Sequence, residues 1–169
     1  MRRPRGFTLI ELVVVLSAVA LLFGVALDRL LRYQELAERA AMEQNVAVIN
    51  MALTMKFASL VTAGRAEAIE ADVGANPVKL LARPPENYLG ELYAPDPASL
   101  ERRSWYYDRQ SGELVYLPKQ SRSLSSASGA LDRLRFRIAL TEVSSEPAVA
   151  RELRQPYLAA MAPFKWAIE

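Results

Sequence analysis

Arg5-Gly6-Phe7-Thr8-Leu9-Ile10-Glu11-Leu12 is the stretch on which the reading of this chain turns. A basic leader, Met1-Arg2-Arg3-Pro4-Arg5, precedes it, and an apolar run from Phe7 to Leu27 follows with one charge inside it, Glu11. That run is 21 residues long, about 31 Å of helix and enough to cross a bilayer core. An ionised carboxylate inside hydrocarbon is costly, about 2.5–3.5 kcal/mol at a helix centre on insertion scales. Glu11 therefore asks for a partner, or else is a tolerated charge near the membrane edge that snorkels to the interface. Thr8, three residues earlier, can hydrogen-bond backbone groups near the helix start.

Three simpler readings compete for the same stretch. A cleavable secretory signal needs a shorter apolar region with a small-x-small site after it; Ala18-Val19-Ala20 fits loosely, yet the apolar run continues past it. An uncleaved signal anchor explains the leader and the span but neither Glu11 nor the Gly6-Phe7 junction. A buried core helix of a soluble protein needs a cover that nothing else in the chain supplies. Leader charge, Gly6, Phe7, the Thr8-Leu9-Ile10-Glu11-Leu12 string and the long apolar run, taken together, resemble the signal of the type IV pilin and type II secretion pseudopilin superfamily. The resemblance covers about residues 2–31.

The resemblance implies a set of roles. A prepilin peptidase cuts between Gly6 and Phe7, and the exposed Phe7 amine is N-methylated. Glu11 pairs with the N-terminal amine of an adjacent subunit during filament assembly. Arg2, Arg3 and Arg5 act as the orientation signal, staying cytoplasmic and sending everything after Leu27 across the inner membrane into the periplasm. The implied partners are the prepilin peptidase, sibling pilins or pseudopilins, an inner-membrane assembly platform and membrane lipid. A cytoplasmic ATPase would power extension, since this chain has no phosphate-cradling loop.

Composition narrows the remainder. The formal charge of +2 and pI near 9.0 suggest nucleic acid, but the position of the charge argues otherwise. Of 21 basic residues, the three leader arginines precede Gly6, so cleavage leaves 18 against 19 acidic ones, a balance of −1. No basic face with interleaved aromatics remains, so nucleic acid is not an expected partner. The chain has no cysteine and no histidine, which excludes disulfides, a Cys nucleophile, Cys or His metal ligands and His-based triads. Many major pilins carry a C-terminal disulfide, and this chain departs from them there. Some major pseudopilins bind calcium through acidic residues in a C-terminal loop; here Asp132, Glu142 and Glu146 are scattered, and neither metal nor cofactor is expected. Carboxylates form no recognisable pair on one element. The chain reads as a substrate of chemistry and not as an enzyme.

After Leu27 no proline occurs until Pro77. Met42, Val46, Ile49, Leu53, Phe57 and Leu60 recur at spacings of four and three, marking one apolar face, with Glu35, Glu38, Arg39, Glu43 and Gln44 largely off it. One long helix from Phe7 to about Thr62 follows, with Gly64 as its stop. Met42, Met51 and Met55 read as core packing. Major pilins often have a helix-breaking Pro in the hydrophobic half; none occurs here.

The prolines at 77, 84, 85, 95 and 97 make 63–98 irregular, with a short helical turn at Arg65–Glu70 and a loop packing Tyr88 and Leu89 into the head. Ser104–Asp108 and Glu113–Leu117 flank Arg109-Gln110-Ser111-Gly112 as a β-hairpin, with Trp105, Tyr107, Val115 and Tyr116 packing. Ser121–Gly129 reads as a loop. Leu134–Leu140 alternates as a strand that buries Leu134, Phe136, Ile138 and Leu140 against the helix and turns Arg135 and Arg137 outward. Ala148–Leu153 can form a short helix before Pro156.

The expected fold is an α+β pilin-like ladle: a long N-terminal helix, membrane-embedded in its first half, packed on a small antiparallel sheet of three or four strands. The expected divisions are a leader at 1–6, a transmembrane half-helix at 7–27, an amphipathic stem at 28–62 and a periplasmic head at 63–169. The function expected is a prepilin-like structural subunit of a periplasmic filament, with a type II secretion pseudopilin leading. The alternatives are a minor type IV pilin, and a signal-anchored periplasmic binding module that never joins a filament.

Overall fold

A computed structural model describes residues 8–119, 124–126, 129–130, 132–143 and 153–166. The chain separates into two compact units, one ending at Ala37 and one comprising Glu38–Ala167. A single helix, α1 (Leu9–Thr62, 54 residues), contributes to both. Its sequence explains its length, since it contains no proline and Gly24 is its one glycine. Its end is chemically marked. The Gly64 N–H donates to Val61 O at 3.0 Å and the Arg65 N–H to Leu60 O at 2.8 Å, with Gly64 at φ +70. This is a Schellman cap, and the left-handed residue it requires is the glycine expected there.

In the first unit, every described residue up to Ala37 is exposed apart from half-buried Glu35. Leu9, Ile10, Leu21, Leu22 and Phe23 are among the most exposed. By length and composition this part of α1 can cross a membrane. Its Ser17 hydroxyl donates to Val13 O at 2.8 Å, so that polar group is satisfied within the helix. Arg32 pairs with Asp28 one turn earlier at 2.9 Å.

The second unit is an α+β head. Its main sheet has five strands in the order β1 (Tyr88–Leu92), β2 (Ser104–Asp108), β3 (Glu113–Leu117), β6 (Leu134–Val143) and β7 (Leu153–Ala160). A second sheet orders β5 (Gly129–Ala130), β4 (Leu124–Ser126) and β8 (Phe164–Trp166). The α+β architecture stands as expected, with a larger and mixed sheet in place of three or four antiparallel strands. The extra strands come from segments whose signals are weak. Tyr88–Leu92 forms a strand instead of a loop, with Leu89 on the surface, and it runs parallel to β2. A parallel pair needs a crossover of about a dozen residues; the intervening segment supplies one, with Leu92 and Leu100 packed on Tyr106, Val115 and Leu117. The Ser-rich stretch contains β4, which burial of Leu124 and pairing with β8 hold in place. Leu153 begins β7, and Pro156 sits inside that strand. Residues 144–152, including most of the helix expected at Ala148–Leu153, lie outside the described residues.

The β2–β3 hairpin forms with the expected bounds, in the register Trp105↔Tyr116 and Tyr107↔Leu114, turning through Gly112 at φ +68. Register with β6 (Leu114↔Phe136, Tyr116↔Leu134) puts Trp105, Tyr107, Leu114, Tyr116, Leu134 and Phe136 on one face. Trp105 lies 4.8 Å from Tyr116 and 5.7 Å from Phe136 between ring centroids, tilted contacts of the favourable kind. Val115 takes the opposite face with Tyr106 and Leu117. Of the helix residues expected inside, Met42, Ile49 and Leu53 are buried and Val46, Phe57 and Leu60 half-buried. The short helical turn at residues 65–70 appears as a 3-10 helix at Ala66–Asp72.

Two helix expectations are overturned. Met51 and Met55 point away from the core, 60% and 66% exposed, because they lie on the opposite side of the helix from Ile49 and Leu53. Glu38 points into the head and is 5% exposed, because β3 and its following turn offer it hydrogen-bond donors. Arg135 is outward as expected and Arg137 half-buried. Both pair with the buried Glu113 at 3.6 Å.

Candidate functional site

The candidate site is the start of α1. Thr8 and Glu11 close on each other there. The Glu11 backbone N–H donates to Thr8 Oγ1 at 3.3 Å, and the Thr8 N–H donates to Glu11 Oε2 at 3.5 Å. The first helical bond, Leu12 N–H to Thr8 O, is 3.1 Å. Thr8 is thus the N-cap and Glu11 the reciprocal acid of a capping box. Both residues are exposed. The carboxylate also sits where the helix macrodipole favours negative charge.

This geometry answers part of the question that Glu11 raised. In the single chain its charge is already met by a backbone N–H and the helix terminus, which lowers the cost of holding it in an apolar stretch. A carboxylate offers about four acceptor positions, so one bond to Thr8 leaves room for a further cation. The Thr8-x-x-Glu11 spacing is the sequence signal of this capping box. Among the expected site residues, Glu11 is placed in the first turn. Arg2, Arg3, Arg5, Gly6 and Phe7 lie outside the described residues.

A second polar arrangement, in the head, escaped the sequence reading. Glu38 Oε1 accepts from the Tyr116 hydroxyl at 3.0 Å and from the Lys119 N–H at 2.8 Å. Its Oε2 lies 3.5 Å from Arg103 Nε. Burial, then the adjacent Glu38 charge, pushes the Tyr116 hydroxyl well above its ordinary range, so it stays a donor. A buried carboxylate is tolerable only when paired and hydrogen-bonded in this way. Asn50 makes a comparable link: its Oδ1 accepts from the Leu158 N–H of β7 at 2.8 Å and its Nδ2 donates to Val46 O at 3.1 Å. These contacts fasten Glu38–Thr62 to the sheet. They are structural, and no sequence spacing signals contacts between residues 78 or 108 positions apart.

The loops beside β1 are held by two carboxylates. Asp108 accepts from the Ala94 N–H at 3.1 Å, the Gln110 N–H at 3.0 Å and the Ser111 hydroxyl at 2.8 Å. Burial alone would raise its carboxyl, but these donors outweigh it and hold it below the ordinary range. Glu91 is likewise held low, first by the Asn76 amide and then by Lys79, at 2.9 and 2.7 Å.

A family model described as the prokaryotic N-terminal methylation motif matches residues 1–27. No curated protein matches the chain, and no solved structure does. The matched residues include the leader, the Gly6-Phe7 junction, the Thr8–Glu11 box and the apolar run. A prepilin signal implies a prepilin peptidase as processing partner and pilin-like chains as assembly partners. The match covers a signal of structural subunits, and the one membrane-length apolar helix among the described residues fits a signal-anchored membrane chain. The N-terminal segment is a type IV pilin-like prepilin methylation signal, and it supports reading the chain as a pilin-like prepilin subunit.

Proposed function

We propose that this chain is a structural subunit of a periplasmic filament, a pseudopilin of a type II secretion system that helps assemble or prime the pseudopilus for protein export. The observation that carries the reading is Glu11: the one charge in a bilayer-length apolar run, held at the capped helix start inside the matched motif. In this reading Arg2, Arg3 and Arg5 hold the leader in the cytoplasm. Hydrolysis of the Gly6–Phe7 amide frees the Phe7 amine, and a methyl donor then methylates that nitrogen. Residues after Leu27 lie in the periplasm. Glu11, keeping its Thr8 bond, accepts the N-terminal amine of an adjacent subunit and so sets the register between them. An inner-membrane platform receives the processed subunit. The absence of cysteine favours a secretion pseudopilin over a disulfide-looped surface pilin.

Mass spectrometry of the native N-terminus tests this. N-methyl-Phe7 is expected; an intact Met1, or a terminus beyond Ala20, overturns the proposal. A Glu11→Ala chain is expected to insert in the membrane yet enter filaments at least tenfold less, and unchanged incorporation would remove the pairing role. Export of a secreted substrate in a strain lacking this chain separates the pseudopilin from a minor type IV pilin: lost export supports the first, and lost surface pili with intact export the second.

A further inference from the structure

Tyr116 meets Glu38 of α1 on one face of the main sheet, and the opposite face is covered unevenly. Over β2 and β3, Tyr106, Val115 and Leu117 lie beneath Leu92 and Leu100. Among the described residues nothing covers the same face over β6 and β7, where Arg135, Thr141 and Tyr157 are exposed. Arg135, Arg137, Ala139 and Thr141 alternate there along β6. Register sets Ala159 opposite Arg137 and Tyr157 opposite Ala139. Two guanidiniums therefore stand beside a step formed by two half-buried alanines, with a tyrosine ring at its edge.

The arginines are held from beneath. Glu113 is buried, and its two oxygens face Arg135 and Arg137 at 3.6 Å each. That is ion-pair distance and too long for a hydrogen bond. Arg137 donates to Ser111 O, while its buried Nε has no hydrogen-bond partner among the described residues. Asp108, opposite Glu113 across the hairpin, is already occupied by Ala94, Gln110 and Ser111. The acid thus lies below, and what the surface turns outward is guanidinium, with one positive charge left over from the three groups.

We propose that this face docks an acidic segment of a partner protein, one that carries carboxylates at alternate positions of an extended backbone. Arg135 and Arg137 are two residues apart on a strand, about 6.6 Å, which is also the spacing of same-side side chains on a second extended chain. Each guanidinium can take a carboxylate through paired N–H···O bonds. The Ala139–Ala159 step leaves room for an apolar side chain against the Tyr157 ring. A second copy of this chain does not supply the segment: its Glu70-Ala71-Asp72 run lies in a 3-10 helix, with Glu70 paired to Arg154 and Asp72 to Lys56. The inference is independent of Glu11 and of the filament reading, since every residue it uses lies in the head.

The test uses the full-length chain in a non-ionic detergent and a fluorescent peptide with Glu at alternate positions and Val between them. Saturable binding by anisotropy is expected, with a peptide carrying Gln in place of Glu about tenfold weaker or worse. Arg135→Gln leaves Glu113 paired with Arg137 and should weaken binding about tenfold with the denaturation midpoint unmoved. Ala159→Glu sets a carboxylate of the same chain opposite Arg137 and should compete to a similar degree; it decides the matter if Arg135→Gln fails to fold. Met55→Glu, on the exposed side of α1, should change nothing. Equal binding of the two peptides, or folded Arg135→Gln and Ala159→Glu chains that bind as the wild type does, overturns the proposal. A wild-type chain that ignores the acidic peptide also overturns it. If that chain instead binds added short-chain phosphatidylglycerol, and loses it with Arg135→Gln, the face belongs to lipid.

Discussion

The two parts of α1 share one secondary structure and answer to different surroundings. From Leu9 to Ala37 its side chains are exposed on all sides save half-buried Glu35, although most are apolar. From Glu38 to Thr62 one side is buried, with Met42, Ile49 and Leu53 at 2%, 1% and 0% exposure. Among the described residues nothing buries the first part, which by length and composition can cross a membrane. The second receives its cover from the β-strands of the same chain. Continuous helical hydrogen bonding is thus compatible with two sources of stability, and mutations should report which source a residue uses.

The largest effect is expected at Glu38. Glu38→Ala leaves the Tyr116 hydroxyl and the Lys119 N–H without their acceptor and should cost about 1–3 kcal/mol of head stability for each, read by chemical denaturation of the detergent-solubilised chain. Glu38→Gln should cost less, because an amide oxygen can still accept from Tyr116 and Lys119. Leu53→Ala should cost about 2–5 kcal/mol through the cavity it leaves, whereas Leu16→Ala should leave head stability within about 0.5 kcal/mol. Equal losses from these two changes would break the contrast between the halves.

Asn50→Ala sharpens it further. The change leaves the Leu158 N–H unpartnered at the β7 edge and should cost about 1–3 kcal/mol, with faster amide exchange at Leu158 as its specific mark. At the other end, Thr8→Ala should cost about 0.5–2 kcal/mol of local helix stability, visible as fraying of the first turn by NMR with the head's denaturation midpoint unmoved.

The smallest effect is on pH dependence, and it belongs to the head alone. Asp108 and Glu91 are held lower folded than unfolded. Their contribution is therefore complete above about pH 5 and is lost as acid carries the pH through their folded values. Asp108→Asn should flatten that acid limb. Tyr116 is shifted upward, so its contribution is present below about pH 10 and fades as pH rises beyond it. An ultraviolet titration should show Tyr116 as the last tyrosine to ionise.

Legibility in the sequence followed the range of the interactions. The helix end at Thr62 and its Gly64 cap, the β2–β3 hairpin, and the buried alternation of Leu134, Phe136 and Ile138 all rest on neighbours in sequence or on simple periods. So does the Thr8–Glu11 capping box, which joins residues three positions apart. Glu38 and Met51 depart from expectation because charge and hydrophobicity are poor guides to facing when a strand supplies donors to one residue and no described residue covers the other. β1, β4 and β8 are short, and their pairings join distant segments, so no local run announces them.

By itself the sequence determined the signal, the length of the apolar span, the helix and its stops, and the exclusion of thiol and imidazole chemistry. Each of these depends on residue identity or on contacts within a few positions. Tertiary structure alone decided that Glu38 and Asn50 bind the helix to the sheet and that Asp108 and Glu91 organise the loops. It also decided that Met51 and Met55 lie exposed on the side of α1 opposite Ile49 and Leu53. Those outcomes depend on which distant donors and surfaces meet, and a linear pattern does not encode that meeting in any local form.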